Sequence, residues 1–480
     1  MNAGVFRPVV YIASLCGLYL STAMFIPAMV DLYFGNPDWV NFAISGFSVG
    51  GLSLAAGMAT RGPMPPFSRR IGFLLVNVLW IVFSLVGTVP LMLSANMSFA
   101  KALFESVSAI TTTGSTVLVG LDHMPKGILM WRSLLQWLGG IGIVALGLFV
   151  LPALRTGGIA FFKMESSDTN DKPFARLTSF TSAFIAVYIV LTVLCAIAFD
   201  LFGMTHFDAI NHAMTTIPTG GFSTHDASFG FFGENQTLLW AATFFMTVSS
   251  LPFSVLIVFI VRGRLDALRD PQIIAFLGYL AAFALAGGIY NRIVNNVDFG
   301  SALAHSFFNI SSLVSTTGFA SQDYTLWGPF MIMLAFMATF IGGCSGSTAG
   351  GIKAYRIVII GNSIQTGLKL LLYPNAIYSV RYGKLKVDED TLRGVYLFLV
   401  TYLGFWALGA ILGYDLATSL SASITALANV GPGLGEIVGP AGNFSTMEDP
   451  VLYILTFLML LGRLEVLTVL VVLIPQFWRD

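Results

Sequence analysis

The feature that most constrains this chain is a succession of apolar runs, each long enough to cross a bilayer and nearly free of charge. They fall near residues 8–30, 40–60, 71–95, 128–154, 178–203, 237–261, 272–291, 392–413 and 449–477. A further apolar stretch over 327–373 is interrupted by a cluster of glycines. A spanning helix needs about 20 apolar residues, so the pattern predicts ten crossings, one of them broken. The runs are expected to be helices, because lipid offers no water to the open edge of a sheet. Composition agrees: 10% of the residues are charged, against about 25% in soluble domains. The formal net charge is zero, so nothing in the charge balance points to nucleic acid. The first run follows a single arginine, Arg7, and reads as a retained helix rather than a cleaved signal.

Basic residues orient the helices. With a cytoplasmic N-terminus, the loops on that side collect Arg7, Arg61, Arg69, Arg70, Arg155, Lys163, Lys172, Arg176, Arg262, Arg264 and Arg269. Arg356, Lys369, Arg381, Lys384, Lys386, Arg393 and Arg479 follow on the same side. The outer side receives Lys101, Lys126, Arg132 and Arg292, together with most of the acids, among them Asp31, Asp122, Asp208, Asp226 and Asp415. An acidic outer face concentrates cations. Cys16, Cys195 and Cys344 stand apart in apolar segments and show neither a disulfide framework nor zinc spacing. His206 and His212 lie close in sequence, but no second ligand pair accompanies them, and a structural role is expected.

Four segments between pairs of spanning runs carry the functional signal. Each is semi-polar, too short to cross, on the outer side, and ends in glycine. The endings are Thr111-Thr112-Thr113-Gly114, Thr219-Gly220-Gly221, Ser315-Thr316-Thr317-Gly318 and Asn429-Val430-Gly431. The glycines recur roughly every hundred residues, the length of two spanning helices with their loops. A potassium ion entering the membrane must exchange its water shell for an equivalent one, which a ring of backbone carbonyls can supply. Aiming carbonyls inward demands angles an L-residue resists, hence a glycine in each loop. Irregular backbone at this depth is tolerated where it lines a wet cavity or is buried in protein. A short helix ahead of each glycine would turn its negative end toward the ion. Asp208 and Asp415, near the starts of two such helices, suit the positive ends. The expected fold is therefore an all-α membrane protein: two N-terminal helices, then four pseudo-symmetric helix–pore loop–helix repeats around one central pore, as in potassium channels. The divisions fall at 1–66 for the N-terminal pair and 67–170, 171–268, 269–386 and 387–480 for the repeats.

The loops TTTGST, TGGFSTHD, STTGFASQDY and NVGPGLGE, together with the two extra N-terminal helices, resemble the Trk/Ktr/HKT superfamily of potassium transporters over essentially the whole chain. Within it the bacterial Trk-type (TrkH) uptake subunits are the most similar. The resemblance implies a selectivity filter at Thr112, Thr113 and Gly114; Thr219, Gly220 and Gly221; Thr316, Thr317 and Gly318; and Asn429, Val430 and Gly431. In the plant branch a serine at the first filter glycine accompanies sodium preference. Gly114 occupies that position here, which favours potassium. Pro218, just ahead of the second filter, has no explanation at the level of sequence.

Two features lie beyond the loops. The interrupted stretch carries Gly342-Gly343-Cys344-Ser345-Gly346-Ser347-Thr348-Ala349-Gly350-Gly351-Ile352-Lys353. The spacing of Gly342, Gly346 and Gly350 is that of small-residue helix packing, but glycine density with hydroxyls also suits an unwound, cavity-lining segment. The resemblance implies the latter, an intramembrane loop obstructing the path below the filter. A phosphate-binding loop is a poor match, since no strand precedes it and no Gly-Lys-Ser/Thr follows. Arg463 sits mid-way along the last apolar run, too deep to snorkel, and is expected to face a wet interior. An ion pair with Glu465 is the structural alternative, disfavoured because residues two apart on a helix diverge. The family has an arginine at the matching place, and the resemblance implies a barrier formed by Arg463 with the loop. Lys353 is a candidate second charge.

These observations favour a channel-like potassium permease with no covalent cofactor and potassium as the permeating ligand. The alternative is a sodium- or proton-coupled symporter. Coupled transporters also use broken helices, but typically in inverted repeats, whereas all four loops here enter from one side. No segment gathers a nucleophile, base and orienter, so an enzyme is not expected. No sizeable soluble domain is expected, and the cytoplasmic piece 374–391 is short and mixed in charge. The resemblance implies a homodimer seated on a cytoplasmic, nucleotide-binding regulatory ring, in the inner membrane of a cell.

Overall fold

The computed structural model describes residues 3–63, 68–145, 173–263 and 265–479. Every apolar run has its helix. Ala3–Ala23, continued by Phe25–Tyr33, and Trp39–Thr60 form the N-terminal pair. The first repeat comprises Arg69–Ser94, the short Phe99–Ile110, and Lys126–Ala145. The second comprises Pro173–Leu201, His206–Thr216, and Gln236–Ser249 followed by Phe253–Arg262. The third comprises Pro271–Asn295, Phe299–Val314, and Pro329–Phe340 followed by Ala354–Leu372. The fourth comprises Glu389–Ala407, Leu416–Ala428, and Asp449–Arg463 followed by Val466–Leu473. Among the described residues, seven helices are individually long and apolar enough to cross a membrane, and two bent pairs meet the same test together. Residues 146–154 of the fourth run, with Arg155, Lys163, Lys172, Arg264 and the side chains of Arg176 and Arg262, lie outside the described residues.

Three second helices are broken among the described residues, where the apolar pattern predicted one. Gln236–Ser249 and Phe253–Ile260 meet at 101°. Pro252 accounts for this bend, since it has no N–H to continue the ladder. The freed groups are re-paired by the third repeat: Phe253 N–H donates to the Gly346 carbonyl (2.9 Å), and the Ser250 carbonyl accepts from Cys344 N–H (2.9 Å). Asp449–Arg463 and Val466–Leu473 meet at 108°, with Glu465 at φ +61° in the turn. The predicted break in the third repeat spans Ile341–Lys353, and its residues are not helical. The four-residue spacing of its glycines is therefore not that of a packed helix.

The apolar interior divides into two large clusters. One joins the N-terminal pair with the first and fourth repeats, around Phe104, Trp131, Leu452 and Leu458. The other joins the second and third repeats, around Phe199, Phe229, Phe276 and Phe308. The four short helices lie where these halves meet, and all four are N-capped. Ser98 Oγ accepts from Lys101 N–H (3.4 Å), Thr205 Oγ1 from Asp208 N–H (3.2 Å), Asp298 from Gly300 N–H (3.0 Å) and Asp415 from Thr418 N–H (3.0 Å). Such side chains satisfy donors that a helix start leaves open. Asp415 thus serves as a cap, while Asp208 sits inside the first turn and accepts from Thr205 Oγ1 and Thr224 Oγ1, both at 2.7 Å. On the opposite face a small hairpin pairs Arg381–Tyr382 with Leu385–Lys386.

Candidate functional site

Each short helix ends in the same way, two residues before its glycine. Thr112, Thr219, Thr316 and Asn429 take φ of +52°, +55°, +57° and +56°. The N–H of the next residue then reaches back to the helix: Thr113 to the Ser108 carbonyl (2.8 Å), Gly220 to Thr215 (2.8 Å), Thr317 to Ser312 (2.8 Å) and Val430 to Thr425 (2.9 Å). A second bond closing a shorter turn accompanies it, from Thr112 N–H to the Ala109 carbonyl (3.0 Å) and equivalently in the other three. This double closure is the Schellman motif. Repeated four times, it stops each helix at the same depth and turns the chain sharply into the loop.

The glycines that follow close a ring. They have φ of +87° at Gly114, +74° at Gly221, +88° at Gly318 and +110° at Gly431, a region L side chains avoid. A Cβ on Gly114 would lie 2.2 Å from the Gly220 carbonyl oxygen, and one on Gly221 would lie 1.8 Å from that of Thr317. One on Gly318 would meet Val430 O at 1.9 Å, and one on Gly431 would meet Thr113 O at 2.8 Å. The contacts run first to second, second to third, third to fourth, and fourth back to first. Side chains lock the closure: Ser115 Oγ donates to Gly431 O (2.8 Å), and Asn429 Nδ2 donates to Thr113 Oγ1 (2.9 Å). All twelve candidate filter positions therefore belong to one site, with four helix C-termini converging on it.

The glycine-rich loop lies directly beneath. Thr348 Oγ1 donates to the Ile217 carbonyl at the end of the second short helix (3.0 Å). Gly350 N–H donates to Thr316 Oγ1 (2.6 Å), and Gly351 N–H to the Ala428 carbonyl at the end of the fourth (2.9 Å). A Cβ on Gly350 would sit 2.3 Å from Ala428 O, and one on Gly342 would sit 2.0 Å from Gly350 O, so neither position has room for a side chain. Gly343, Ser345, Gly346, Ser347 and Gly351 complete the turn; Gln272 Oε1 accepts from Ser345 N–H (2.9 Å), and Ser347 Oγ donates to Cys344 O (2.7 Å). Lys353 Nζ donates to the Ala349 carbonyl within the loop. Arg463 comes up against the loop from the fourth repeat, donating from Nη1 to Thr348 O (2.9 Å). It is buried, and its Nε and Nη2 have no partner among the described residues. A cavity of about 50 Å³ opens between Ser345, Gly350, Lys353, Phe398, Arg463 and Glu465.

This geometry has close relatives. The model of the TrkH family, described as cation transport protein, matches residues 39–286 and 277–479. The chain belongs to the TrkH family. It is 40% identical to the Trk system potassium uptake protein TrkI of Halomonas elongata, over 98% of this chain and 97% of that one. It is 35% identical to the Trk system potassium uptake protein TrkH of Escherichia coli K12, over 99% and 100% of the two chains. The crystal structure of the potassium transporter TrkH from Vibrio parahaemolyticus superposes with a TM-score of 0.91 at 32% identity, covering 99% of this chain and all of that one.

For this TrkH-family chain, the structure also revises several charged residues. Arg356 lies buried at the start of Ala354–Leu372, ion-paired with Glu465 and 3.7 Å from the Phe398 ring centroid, not in a solvated loop. Glu465 is thereby engaged, and Arg463 does not pair with it. Asp31 is buried and accepts from Gly127 N–H (2.6 Å), tying the N-terminal pair to the first repeat. Arg132 is buried within Lys126–Ala145 and paired with Glu105 (2.8 Å), rather than exposed on a loop. His206 pairs with Asp200 at 2.6 Å, and His212 Nε2 meets Ser223 Oγ at 3.0 Å.

Pro218 gains an account. It occupies the helix-end position that Thr111 holds in the first repeat, and packs on Gly140, where a Cβ would come within 2.5 Å of the proline ring. Gln136 was not legible as a site residue: its Nε2 donates to Gly220 O (2.6 Å) and its Oε1 accepts from Phe222 N–H (3.1 Å), bracing the second filter segment. A glutamine within an apolar run was the available signal, because a buried amide needs partners.

Proposed function

We propose that this chain is a channel-like potassium permease of a cell's inner membrane, with the N-terminus on the cytoplasmic side. Potassium is the permeating ligand, no covalent cofactor takes part, and the twelve ring positions from Thr112 to Gly431 coordinate the ion. The observation that carries this reading is the fourfold closure of glycines at positive φ at the convergence of four helix C-termini. Carbonyl dipoles in a ring replace hydration water, and the partial negative charge at each helix end favours a cation over an anion. The relatives' names, potassium uptake proteins of the Trk system, agree with it. The repeat boundaries proposed above follow from the same symmetry.

In this reading the loop Gly342–Lys353 and Arg463 form the gate. The loop occupies the space under the ring, and its donors are bonded to the helix ends that face the ion. Arg463 places an uncompensated positive charge on the path, and such a charge repels a cation strongly in a low-dielectric setting. Opening then requires the loop and the arginine to withdraw together, since the Arg463–Thr348 bond links them. The energy for that movement comes from outside the chain: we propose a homodimer in the bilayer, regulated by a cytoplasmic nucleotide-binding ring.

The test is ion flux into vesicles containing the purified protein. Potassium or rubidium uptake down its own gradient, unchanged by imposed sodium or proton gradients, is expected. Uptake that requires either gradient would establish the coupled symporter instead.

A further inference from the structure

Each of the four filter segments is held from behind by a polar residue on its short helix. In the first and third repeats that residue stands nine positions before the filter glycine and binds the N–H three positions after it. Asn309 Oδ1 accepts from Ser321 N–H (3.0 Å), and Glu105 Oε2 accepts from Val117 N–H (2.9 Å). In the fourth repeat Ser421 Oγ accepts from Leu434 N–H (2.9 Å). In the second, His212 Nε2 meets Ser223 Oγ (3.0 Å), which accepts from His225 N–H (3.1 Å). Three of these holds use neutral groups on their own segment, although in the second repeat Asp208 also accepts from Thr224 Oγ1 (2.7 Å). The first is charged, and it reaches beyond its own repeat.

The reach is made by Arg132. Its Nε donates to Glu105 Oε1 (2.8 Å), its Nη2 to Thr116 Oγ1 (3.2 Å), and its Nη1 crosses to the second repeat, donating to the Ser223 carbonyl (3.0 Å). Thr116 Oγ1 in turn donates to Glu105 Oε1 (2.9 Å). The guanidinium lies 4.0 Å from the ring centroid of Phe222, the residue after Gly221. Arg132 and Glu105 are 1% and 0% exposed, and this decides what the pair is for. A buried ion pair often contributes little net stability compared with apolar residues of equal volume, and a fixed geometry is the gain it can offer instead. A planar guanidinium fork holds three acceptors at set angles, which a lysine or a neutral side chain cannot do.

We propose that Arg132, oriented by Glu105, is a positioning residue that fixes the spacing between the first and second filter segments and so sets the ion preference of the ring. The proposal rests on the potassium-filter reading above. Arg132 does not touch the ion path in this arrangement; it acts through the Thr116 hydroxyl and the Ser223 carbonyl. Without it the two segments remain in contact at Gly114 and Gly220, and further out through Gly120–Asp226 and Asp122–His225, but they lose the brace between Thr116 and Ser223 that lies next to the ring.

The experiment measures potassium and sodium flux in vesicles for wild type, Arg132→Gln, Glu105→Gln, the double variant, Arg132→Lys and Thr116→Val. The potassium-to-sodium flux ratio is independent of how much protein is folded, so a merely structural role would leave it unchanged. We expect Arg132→Gln and Glu105→Gln each to lower the ratio about tenfold, equivalent to about 1.4 kcal/mol. The double variant should fall no further than the lower single, and Arg132→Lys should recover part of the loss. Thr116→Val, which keeps both charges and the side-chain volume, should give a smaller drop in the same direction. A wild-type ratio in Thr116→Val and in whichever Arg132 variant folds, with only total flux or melting temperature reduced, overturns the proposal. A wild-type protein that shows no preference for potassium overturns the filter reading itself, and the clamp with it, before any variant is compared.

Discussion

Replacing Gly318 by serine tests the ring most directly. The Cβ it adds would stand 1.9 Å from Val430 O and 3.0 Å from Pro432 Cδ. To bring the first contact merely to 3.0 Å, the third and fourth segments must part by about 1 Å. The serine must also hold φ near +88°, which costs an L-residue roughly 1–2 kcal/mol. The cheapest relief is rotation of the Val430 peptide, which removes one carbonyl from the ring. A coordination shell matched to potassium is then one oxygen poorer, or wider if the segments part instead. One lost ligand worth about 1.4 kcal/mol of discrimination is a tenfold change, so the potassium-to-sodium flux ratio should drop by about that factor while flux itself persists. Vesicle flux with each ion alone, on protein shown to be folded by its melting transition, gives the ratio. An unchanged ratio in folded Gly318→Ser would refute the reasoning, because the overlap cannot be relieved without moving a candidate coordinating group.

Three other outcomes follow from the geometry beneath and above the ring. Arg463→Ala should raise basal potassium flux severalfold, since the uncompensated charge is removed; flux equal to or below wild type in folded protein would count against the barrier role. Deleting residues within 342–353 should likewise open the path, and a vesicle that stays tight to potassium would show the loop to be packing alone. At the outer loops, His225 Nδ1 lies 2.5 Å from Asp122 and its Nε2 lies 3.6 Å from Asp208. Burial lowers the affinity of this imidazole for a proton, but the two carboxylates outweigh it and hold the group above its ordinary value. Burial likewise raises the Asp122 carboxyl, but the bonds from His225 and the Asp226 N–H, together with the charge on His225, more than reverse this. A raised histidine contributes stability that is complete below its unfolded value of about 6.5 and is lost as pH rises through its folded value. The melting temperature of wild type should therefore fall between mildly acidic and mildly alkaline pH, and His225→Gln should flatten that slope. Parallel slopes for the two proteins would dissociate His225 from it.

How much of this was legible depends on whether the requirement is written locally or across the chain. Spanning helices and the four loops were legible because lipid imposes a length of apolar sequence and the ring imposes a glycine. The break at Gly342–Lys353 was legible for the same reason, as a run of glycines too dense for a helix. The bend before Phe253 was announced by Pro252, but within an apolar run of spanning length the proline did not by itself distinguish a kink from a turn of 101°. The bend after Arg463 has a weaker local mark, since its cause is tertiary: Gly462 sits against the Leu427 carbonyl, where a Cβ would come to 1.8 Å. Glu465 then turns away to meet Arg356, 109 residues distant in sequence.

The helix-ending residues show the limit most clearly. Thr112, Thr219 and Thr316 belong to a residue type that rarely adopts positive φ, so no propensity identifies them as stops. They hold that conformation because two backbone bonds close behind them and because the neighbouring repeat leaves each glycine no other course. The constraint is cyclic: each segment is shaped by the next, and the fourth by the first through Asn429 and Thr113. A single loop carries only a quarter of that information. Comparing the four loops with one another recovers more, because a feature that recurs at the same register in unlike sequences, such as the polar residue nine before the glycine at Glu105, His212 and Asn309, must answer to the one thing the segments share, which is the ring.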